Sequence, residues 1–217
     1  MAQLQDLAQL LEQGQVQKVS ELTQQLLNEG LSAQAVLNDG LIVGMTVVGE
    51  KMRDGEIYLP EVLQAASAMK ASLKILEPHL VREGAHSRGK ILLGTVKGDM
   101  HDIGKNLVGI MLQGAGFEVV DLGLNVSPQR FVESITEQKP AVVGLSAMLT
   151  TTMLNMRETI EAIRTAGLRS TVKVIIGGAP VNQKYADEIG ADGFALDAVL
   201  AVGRVKQLLE FSSEQPR

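Results

Sequence analysis

The sequence lacks cysteine and tryptophan altogether, and only 3% of its residues are aromatic. Without cysteine, the chain can form neither a disulfide bond nor a thiolate metal site. The scarcity of aromatic rings argues against recognition of nucleic-acid bases by stacking. A net charge of −5 likewise argues against a surface that neutralises phosphate backbones. We therefore expect no nucleic-acid partner.

Long apolar runs are also missing. No segment approaches the ~20 consecutive apolar residues that a membrane-spanning helix needs. Residues 1–6 carry no basic stretch followed by an apolar segment, the arrangement that marks a secretory signal peptide. The sequence therefore predicts a cytoplasmic protein without a membrane partner. Its 217 residues, 45% of them hydrophobic, are enough to bury a substantial core.

The first third of the chain places its apolar side chains at the spacing of helix turns. Pro60 stands at a plausible first helical position, and glycines separate the apolar stripes. We therefore predict a bundle of four or five short helices as a first domain, residues 1–86. Segment 82–89 is polar and contains glycine, which is typical of a linker. The stripes consist of Leu4, Leu7, Ala8 and Leu11; Val19, Leu22 and Leu26; Val36, Leu37, Leu41, Met45 and Val48; and Val62, Ala66, Met69, Leu73 and Leu76.

From Lys90 onward, short apolar runs alternate with helical patterns. Five β–α units with short loops predict a parallel sheet covered by helices, in a Rossmann-like domain over residues 87–217. The predicted fold class is thus α/β: an N-terminal helix bundle, then a five-stranded parallel sheet with the flavodoxin-like strand order 2-1-3-4-5. The predicted strands span 90–96, 118–122, 141–146, 172–176 and 193–196. The predicted helices span 105–113, 128–138, 153–166, 183–189 and 198–211.

A single histidine, His101, stands in the loop that follows the first predicted strand. Asp99 precedes it by two residues, and Gly104 follows it by three. In open α/β sheets, ligands bind at the carboxyl ends of the strands, where this loop lies. A neutral imidazole is a metal ligand, and a nearby carboxylate can accept its other ring proton. The loop therefore predicts a metal-centred cofactor.

Two further loops are rich in small or hydroxyl-bearing residues. Ser146 ends the third predicted strand and is followed by the threonines of segment 150–152, while Gly177 and Gly178 follow the fourth. In the predicted strand order, strands one, three and four are neighbours, so their three loops meet at one edge of the sheet. We expect a long slot with small walls there, with His101 at one rim.

The spacing between these loops resembles a known signature. Asp99-x-His101-x-x-Gly104 is followed by 41 residues, then Ser146-x-Met148, then 28 residues, then Gly177-Gly178. This pattern resembles the cobalamin-binding domains of the methionine synthase type, which also have a helix bundle before the domain. Met148 stands where the family has leucine. The two side chains are apolar and similar in volume, so we expect little effect.

At this length, the chain resembles the corrinoid proteins of methanol, methylamine, methoxyarene and betaine methyltransferase systems. The resemblance implies that it is a methyl carrier with cobalamin, and hence cobalt, as its cofactor. Its Co(I) corrinoid would accept a methyl group from a donor through a substrate-specific methyltransferase. The resulting methyl-Co(III) form, methylcobalamin, would pass the methyl group to a second methyltransferase with a tetrahydrofolate, pterin or thiol acceptor. A reductive activase would be a further partner, and the chain alone would not be a complete enzyme.

The resemblance also implies residue roles. His101 would coordinate cobalt from below, Asp99 would hold its second ring proton, and Thr152 would be the third member of the relay, where the family usually has serine. Met52, where the family usually has phenylalanine, and Leu59 would cap the upper face, with the linker 82–89 as the hinge. The remaining cofactor contacts implied are Gly98, Met100, Asp102, Gly104, Ser146, Met148, Thr150, Gly177, Gly178 and Ala198.

Two alternatives stay open at this point. Asp102 could cap the helix that follows it instead of contacting the cofactor. The whole chain could be a cobalamin-binding sensor or regulatory module instead of a carrier. Such sensors usually have an attached DNA-binding domain, for which this chain has no room.

Overall fold

The computed structural model of the chain describes residues 2–83 and 88–213. The chain divides into two compact units, one within Met1–Arg88 together with Gln113–Gly116, and the other within Gly89–Leu112 and Phe117–Arg217. The boundary predicted at residues 86 and 87 lies outside the described residues, as does half of the predicted hinge at 82–89. Over the two described ranges, no helix has both the length and the apolar character needed to cross a bilayer.

The first unit is helical because its apolar stripes pack against one another. The stripe residues Leu7, Leu11, Val19 and Leu26 are fully buried. The bounds are α1 Ala2–Glu12, α2 Val16–Asn28, α3 Ala33–Ala35, a π-helical segment Val36–Leu41, α4 Ile42–Arg53 and α5 Leu59–Arg82.

Two features of this unit differ from the predicted set of short helices. The α3, π-helical and α4 segments follow one another without a break from Ala33 to Arg53. Helix α5 is 24 residues long and continues past Pro78, which lies inside it. A proline removes one backbone hydrogen bond from a helix. The apolar face of α5, with Val62, Met69 and Leu76 buried, stabilises the helix against that loss.

The second unit is a parallel sheet with strand order β2-β1-β3-β4-β5, which confirms the predicted order. Each observed strand end lies within one residue of its prediction. The strands are β1 Lys90–Thr95, β2 Glu118–Asp121, β3 Val142–Ser146, β4 Lys173–Gly177 and β5 Gly193–Ala195. The helices are α6 Ile103–Gly114, α7 Pro128–Gln138, α8 Leu154–Thr165, α9 Gln183–Ile189 and α10 Ala198–Ser213.

The strand register aligns the carboxyl ends of four strands. Thr95 of β1 pairs with Ser146 of β3, Ser146 with Gly177 of β4, and Gly177 with Ala195 of β5. The central strands are almost wholly buried, as expected for a parallel sheet with both faces covered. Every loop that leaves these four strands therefore starts at the same level of the sheet.

Candidate functional site

The loops after β1 and β3 meet at the carboxylate of Asp99. One carboxylate oxygen, Oδ2, accepts hydrogen bonds from the main-chain N–H of Met148 at 2.7 Å and from the Thr152 hydroxyl at 2.5 Å. The other, Oδ1, accepts from the main-chain N–H of His101 at 3.0 Å and lies 2.8 Å from its ring Nδ1. The structure thus brings together the three residues of the predicted relay.

Asp99 is completely buried, yet it is ionised. Burial alone would raise the pKa of its carboxyl group. The hydrogen bonds from Met148, Thr152 and His101 outweigh that effect and hold the pKa well below its ordinary value of 3.8. A carboxylate that accepts four hydrogen bonds is fixed in position, and it keeps its negative charge at neutral pH.

The ring of His101 is held at one nitrogen and open at the other. Because ionised Asp99 can only accept, Nδ1 of His101 carries the ring proton, and the lone pair belongs to Nε2. The side chain is 55% exposed. No described residue hydrogen-bonds to Nε2, so this nitrogen is available to coordinate a metal.

Side chains from neighbouring segments also hold the main chain of this loop. The buried Thr95 donates from its hydroxyl to the carbonyl of His101 at 3.0 Å. Asn155 of α8 donates from its side-chain amide to the carbonyl of Lys97 at 2.7 Å. Asn125, in the loop after β2, accepts from the N–H of Gly98 at 2.7 Å. Sequence reasoning missed all three; the one available signal was a polar threonine at the end of an apolar strand.

An apolar rim surrounds this edge of the sheet. Its members follow β1, β3 or β5, and they are 44–74% exposed. In the described part of the second unit, they include every large apolar side chain that is exposed. Exposed apolar side chains grouped at one edge of a sheet are typical of an interaction surface. The rim residues are Met100, Ile103, Met148, Leu149, Leu154, Leu196 and Leu200.

Gly177 and Gly178 bring neighbouring backbones close together. A Cβ atom on Gly178, whose φ is +123°, would lie 1.8 Å from the carbonyl oxygen of Ala147, so no side chain fits there. A Cβ atom on Gly177 would lie 3.3 Å from the carbonyl oxygen of Ala195. Gly178 is therefore needed for the contact with the backbone of Ala147, while Gly177 lies at a tight approach to that of Ala195. Ser146 is half-buried beside them, and within residues 2–83 and 88–213 its hydroxyl has no hydrogen-bond partner.

The other predicted contacts occupy varied positions. Asp102 accepts from the main-chain N–H of Asn106 at 2.7 Å through its carbonyl and from the Asn106 side chain at 3.1 Å through its carboxylate, so it supports the start of α6. Gly104 faces open space, and Thr150 is exposed. Ala198 is buried at the first residue of α10.

The two predicted cap residues belong to the first unit. Met52 lies in the last turn of α4, and Leu59 is the first residue of α5. Both are half-buried. The role assigned to them stays a prediction.

These residues fit a metal that is held by a planar ring. A macrocycle supplies its own equatorial ligands and needs from the protein one axial donor and apolar surface. His101 offers one free imidazole nitrogen, and the rim offers the apolar surface. Among the described residues, no group of three or more His, Asp or Glu side chains could hold a bare metal ion. The fold and the site define a cofactor-binding α/β domain that presents one exposed imidazole beside apolar side chains.

Comparison with known proteins agrees with this class. A family model described as B12 binding domain matches residues 89–203, and a second model with the same description matches residues 3–77. The chain therefore belongs to the B12-binding domain family, and its cofactor is cobalamin.

Three similar proteins cover most of the chain. It is 43% identical to a corrinoid protein of Desulfitobacterium hafniense, over 96% of this chain and 98% of that protein. It is 44% identical to the trimethylamine corrinoid protein of Methanosarcina barkeri, over 87% of this chain and 90% of that protein. It also matches the methanol:cobalamin methyltransferase complex from Methanosarcina barkeri, with a TM-score of 0.85 and 27% identity, over 96% of this chain and 80% of that one.

The buried carboxylate makes the stability of the apoprotein depend on pH. We expect Asp99→Asn to lower the free energy of unfolding at neutral pH by about 2 kcal/mol, as is typical for lost hydrogen bonds to a charged group. Because folding lowers the pKa of Asp99 below 3.8, this contribution is complete above that pH and is lost as the pH falls towards the folded-state pKa. The wild-type and variant stability curves from urea unfolding should therefore converge at acid pH.

The matched control is Asp6→Asn, which changes an exposed carboxylate on α1. Its free energy of unfolding should stay within about 0.5 kcal/mol of wild type, as is usual for surface substitutions. A wild-type advantage over Asp99→Asn that persists unchanged, or grows, as the pH falls would contradict the assignment of an ionised Asp99.

Proposed function

We propose that this protein is a corrinoid methyl carrier that binds cobalamin with His101 as the lower axial ligand of cobalt. One observation carries the proposal. The Nδ1 side of the ring is held by an ionised, buried Asp99, while the Nε2 side is open within an apolar rim. A flat corrin ring with apolar surface and a vacant lower position suits that arrangement. The bound corrinoid supplies a cobalt centre that takes up a methyl group and gives it up again.

Asp99 and Thr152 determine which ring nitrogen of His101 carries the proton and how the ring is oriented. Asp99 holds the proton on Nδ1 of His101 and so makes Nε2 a stronger donor. Thr152 donates its hydroxyl hydrogen to Asp99 and fixes the carboxylate in the orientation that faces His101. When no metal is bound at Nε2, the hydrogen bond to Asp99 still holds the ring through Nδ1. The three residues thus form one hydrogen-bonded unit behind the axial ligand.

The other contacts are assigned by their place in the fold. We assign the edge of the sheet beside Ser146, Gly177 and Gly178 to the nucleotide tail of the cofactor, displaced by His101. Met52 and Leu59 are assigned to the upper face, where they would protect the methyl group. The remaining assigned contacts are Gly98, Met100, Asp102, Gly104, Met148, Thr150 and Ala198.

The partners are assigned to separate proteins. We assign the binding of the methyl donor and of the methyl acceptor to partner proteins. The similarity to a trimethylamine corrinoid protein and to a methanol:cobalamin methyltransferase complex supports a substrate-specific methyltransferase as the donor partner. A second methyltransferase would act on tetrahydrofolate, a pterin or a thiol, and a reductive activase would restore the reduced cobalt. Because that state needs strongly reducing surroundings, we place the carrier in the cytoplasm.

The lower-ligand assignment is tested with His101→Ala. Purified wild type and variant are titrated with hydroxocobalamin, and the visible spectrum is recorded at each step. Wild type should bind one equivalent and give the spectrum of a nitrogen ligand supplied by the protein. The variant should lose that spectrum, because the imidazole that Asp99 holds is gone.

His79→Ala is the matched control, since His79 lies on α5 in the first unit. It should bind and absorb like wild type. Identical spectra for His101→Ala and wild type would show that His101 is not the lower ligand. Failure of wild type to bind any corrinoid would contradict the function as a whole.

Methyl transfer separates a carrier from a cobalamin sensor. Holoprotein is reduced, treated with isotopically labelled methyl iodide, freed of reagent and mixed with corrinoid-dependent methyltransferases for the three acceptor classes. A carrier should retain the label until one methyltransferase and its acceptor are both present, and then lose it to that acceptor. Retention of the label in every mixture would favour the sensor.

A further inference from the structure

The loop that carries His101 is held from both sides. On the β3 side, Met148 and Thr152 hold the carboxylate of Asp99. On the β2 side, one residue, Asn125, lies against the main chain of the loop. Since β1 lies between β2 and β3 in the sheet, these contacts act from opposite sides.

Asn125 bonds to the main chain on both sides of the Asp99 Cα atom. Its side-chain oxygen accepts a hydrogen bond from the N–H of Gly98 at 2.7 Å. Its own main-chain N–H donates to the carbonyl of Asp99 at 3.1 Å. Asn125 therefore holds the peptide group that precedes Gly98 and the peptide group that follows Asp99.

The backbone of Asn125 adopts a conformation that most residues avoid. Its φ is +52°, in the left-handed region, which asparagine tolerates better than any other residue with a side chain except aspartate. The other described residue of this kind is Lys139, with φ +47°, which ends helix α7 in an ordinary left-handed cap. Asn125 ends no helix. Its strained backbone coincides with the two bonds to the loop, and such coincidence points to a functional constraint.

We propose that Asn125 is a positioning residue for the lower axial ligand. It fixes the main chain at Gly98 and at the carbonyl of Asp99, so that the carboxylate keeps Nδ1 of His101 in place and Nε2 pointed at the cofactor. The inference rests on the proposed role of His101 as the cobalt ligand. Asn125 itself need not touch the corrinoid.

Two substitutions separate the effect of the Asn125 side-chain oxygen from that of its left-handed backbone. Asn125→Gly keeps the left-handed backbone and the main-chain N–H but removes the oxygen acceptor for Gly98. Asn125→Asp keeps both the backbone preference and the acceptor oxygen. The dissociation constant for hydroxocobalamin and the share of histidine-ligated cofactor in the visible spectrum are measured for each holoprotein. Urea unfolding of each apoprotein shows whether the variant folds.

We expect Asn125→Gly to weaken corrinoid binding about 3- to 10-fold, the effect of one lost hydrogen bond, and to lower the histidine-ligated share. Asn125→Asp should match wild type both in its affinity for the corrinoid and in its histidine-ligated share. Lys139→Gly, which relieves the same kind of backbone strain away from the loop, should also match wild type. If Asn125→Asp is as impaired as Asn125→Gly, the acceptor oxygen is not what matters, and the proposal is overturned. If the glycine variant does not fold, Asn125→Asp is compared with wild type alone, and a loss of affinity in it overturns the proposal.

A double-mutant cycle with His101→Ala tests whether Asn125 acts through the histidine. In the His101→Ala background, Asn125→Gly should cause no further loss of affinity. An equal loss in both backgrounds would overturn the positioning role. If the single variant His101→Ala matches wild type in affinity and spectrum, the lower-ligand assignment has failed. This outcome can be recognised without any Asn125 variant. If His101→Ala shows the expected defect but Asn125→Gly binds corrinoid as tightly as wild type, the proposed function stands and only the role of Asn125 is overturned.

Discussion

A buried, ionised carboxylate organises the functional edge of this protein. Asp99 is fully buried, and a charge in such a place is tolerated only when hydrogen bonds replace the lost water. Four donors do so here, two from His101 and one each from Met148 and Thr152. Those donors join loops that are about fifty residues apart in the chain. The carboxylate therefore links the β1 and β3 ends of the sheet, and the position of the histidine ring depends on that link.

The same carboxylate decides the chemistry that His101 can offer. Because Asp99 holds the proton on Nδ1, the lone pair is confined to Nε2, on a side chain that is more than half exposed. Around it the rim presents apolar side chains that most monomeric proteins would bury. A macrocycle with a metal at its centre satisfies both features at once. This pairing of one directed donor with an apolar surface connects the fold to cobalamin binding.

Much of this arrangement could be predicted from the sequence. The alternation of buried strands and helices gave the parallel sheet, and the strand order followed from the preferred topology of such sheets. The spacing from Asp99 to Ser146 and then to Gly177 identified the loops that converge. Thr152 was found from its register within the family pattern, and its hydroxyl does reach Asp99.

Other features depend on contacts that no local pattern encodes. Asn125 and Asn155 reach the His101 loop across 27 and 58 residues of sequence, and each looks like an ordinary loop or helix residue in the sequence alone. Gly178 was expected at a slot with small walls, but the space its side chain would fill is taken by the backbone of Ala147. Helix α5 likewise continues past Pro78, because its tertiary packing outweighs the local tendency of proline to end a helix.

The most direct test of the account is to identify the nitrogen that binds cobalt. The protein is produced with ¹⁵N-labelled histidine, loaded with unlabelled cobalamin, reduced to the Co(II) state and examined by electron paramagnetic resonance. An axial histidine should split each cobalt line into a ¹⁵N doublet, and His101→Ala should abolish the doublet. A ¹⁴N triplet in the labelled wild type would mean that the cofactor's own base remains bound, and would contradict the role assigned to His101.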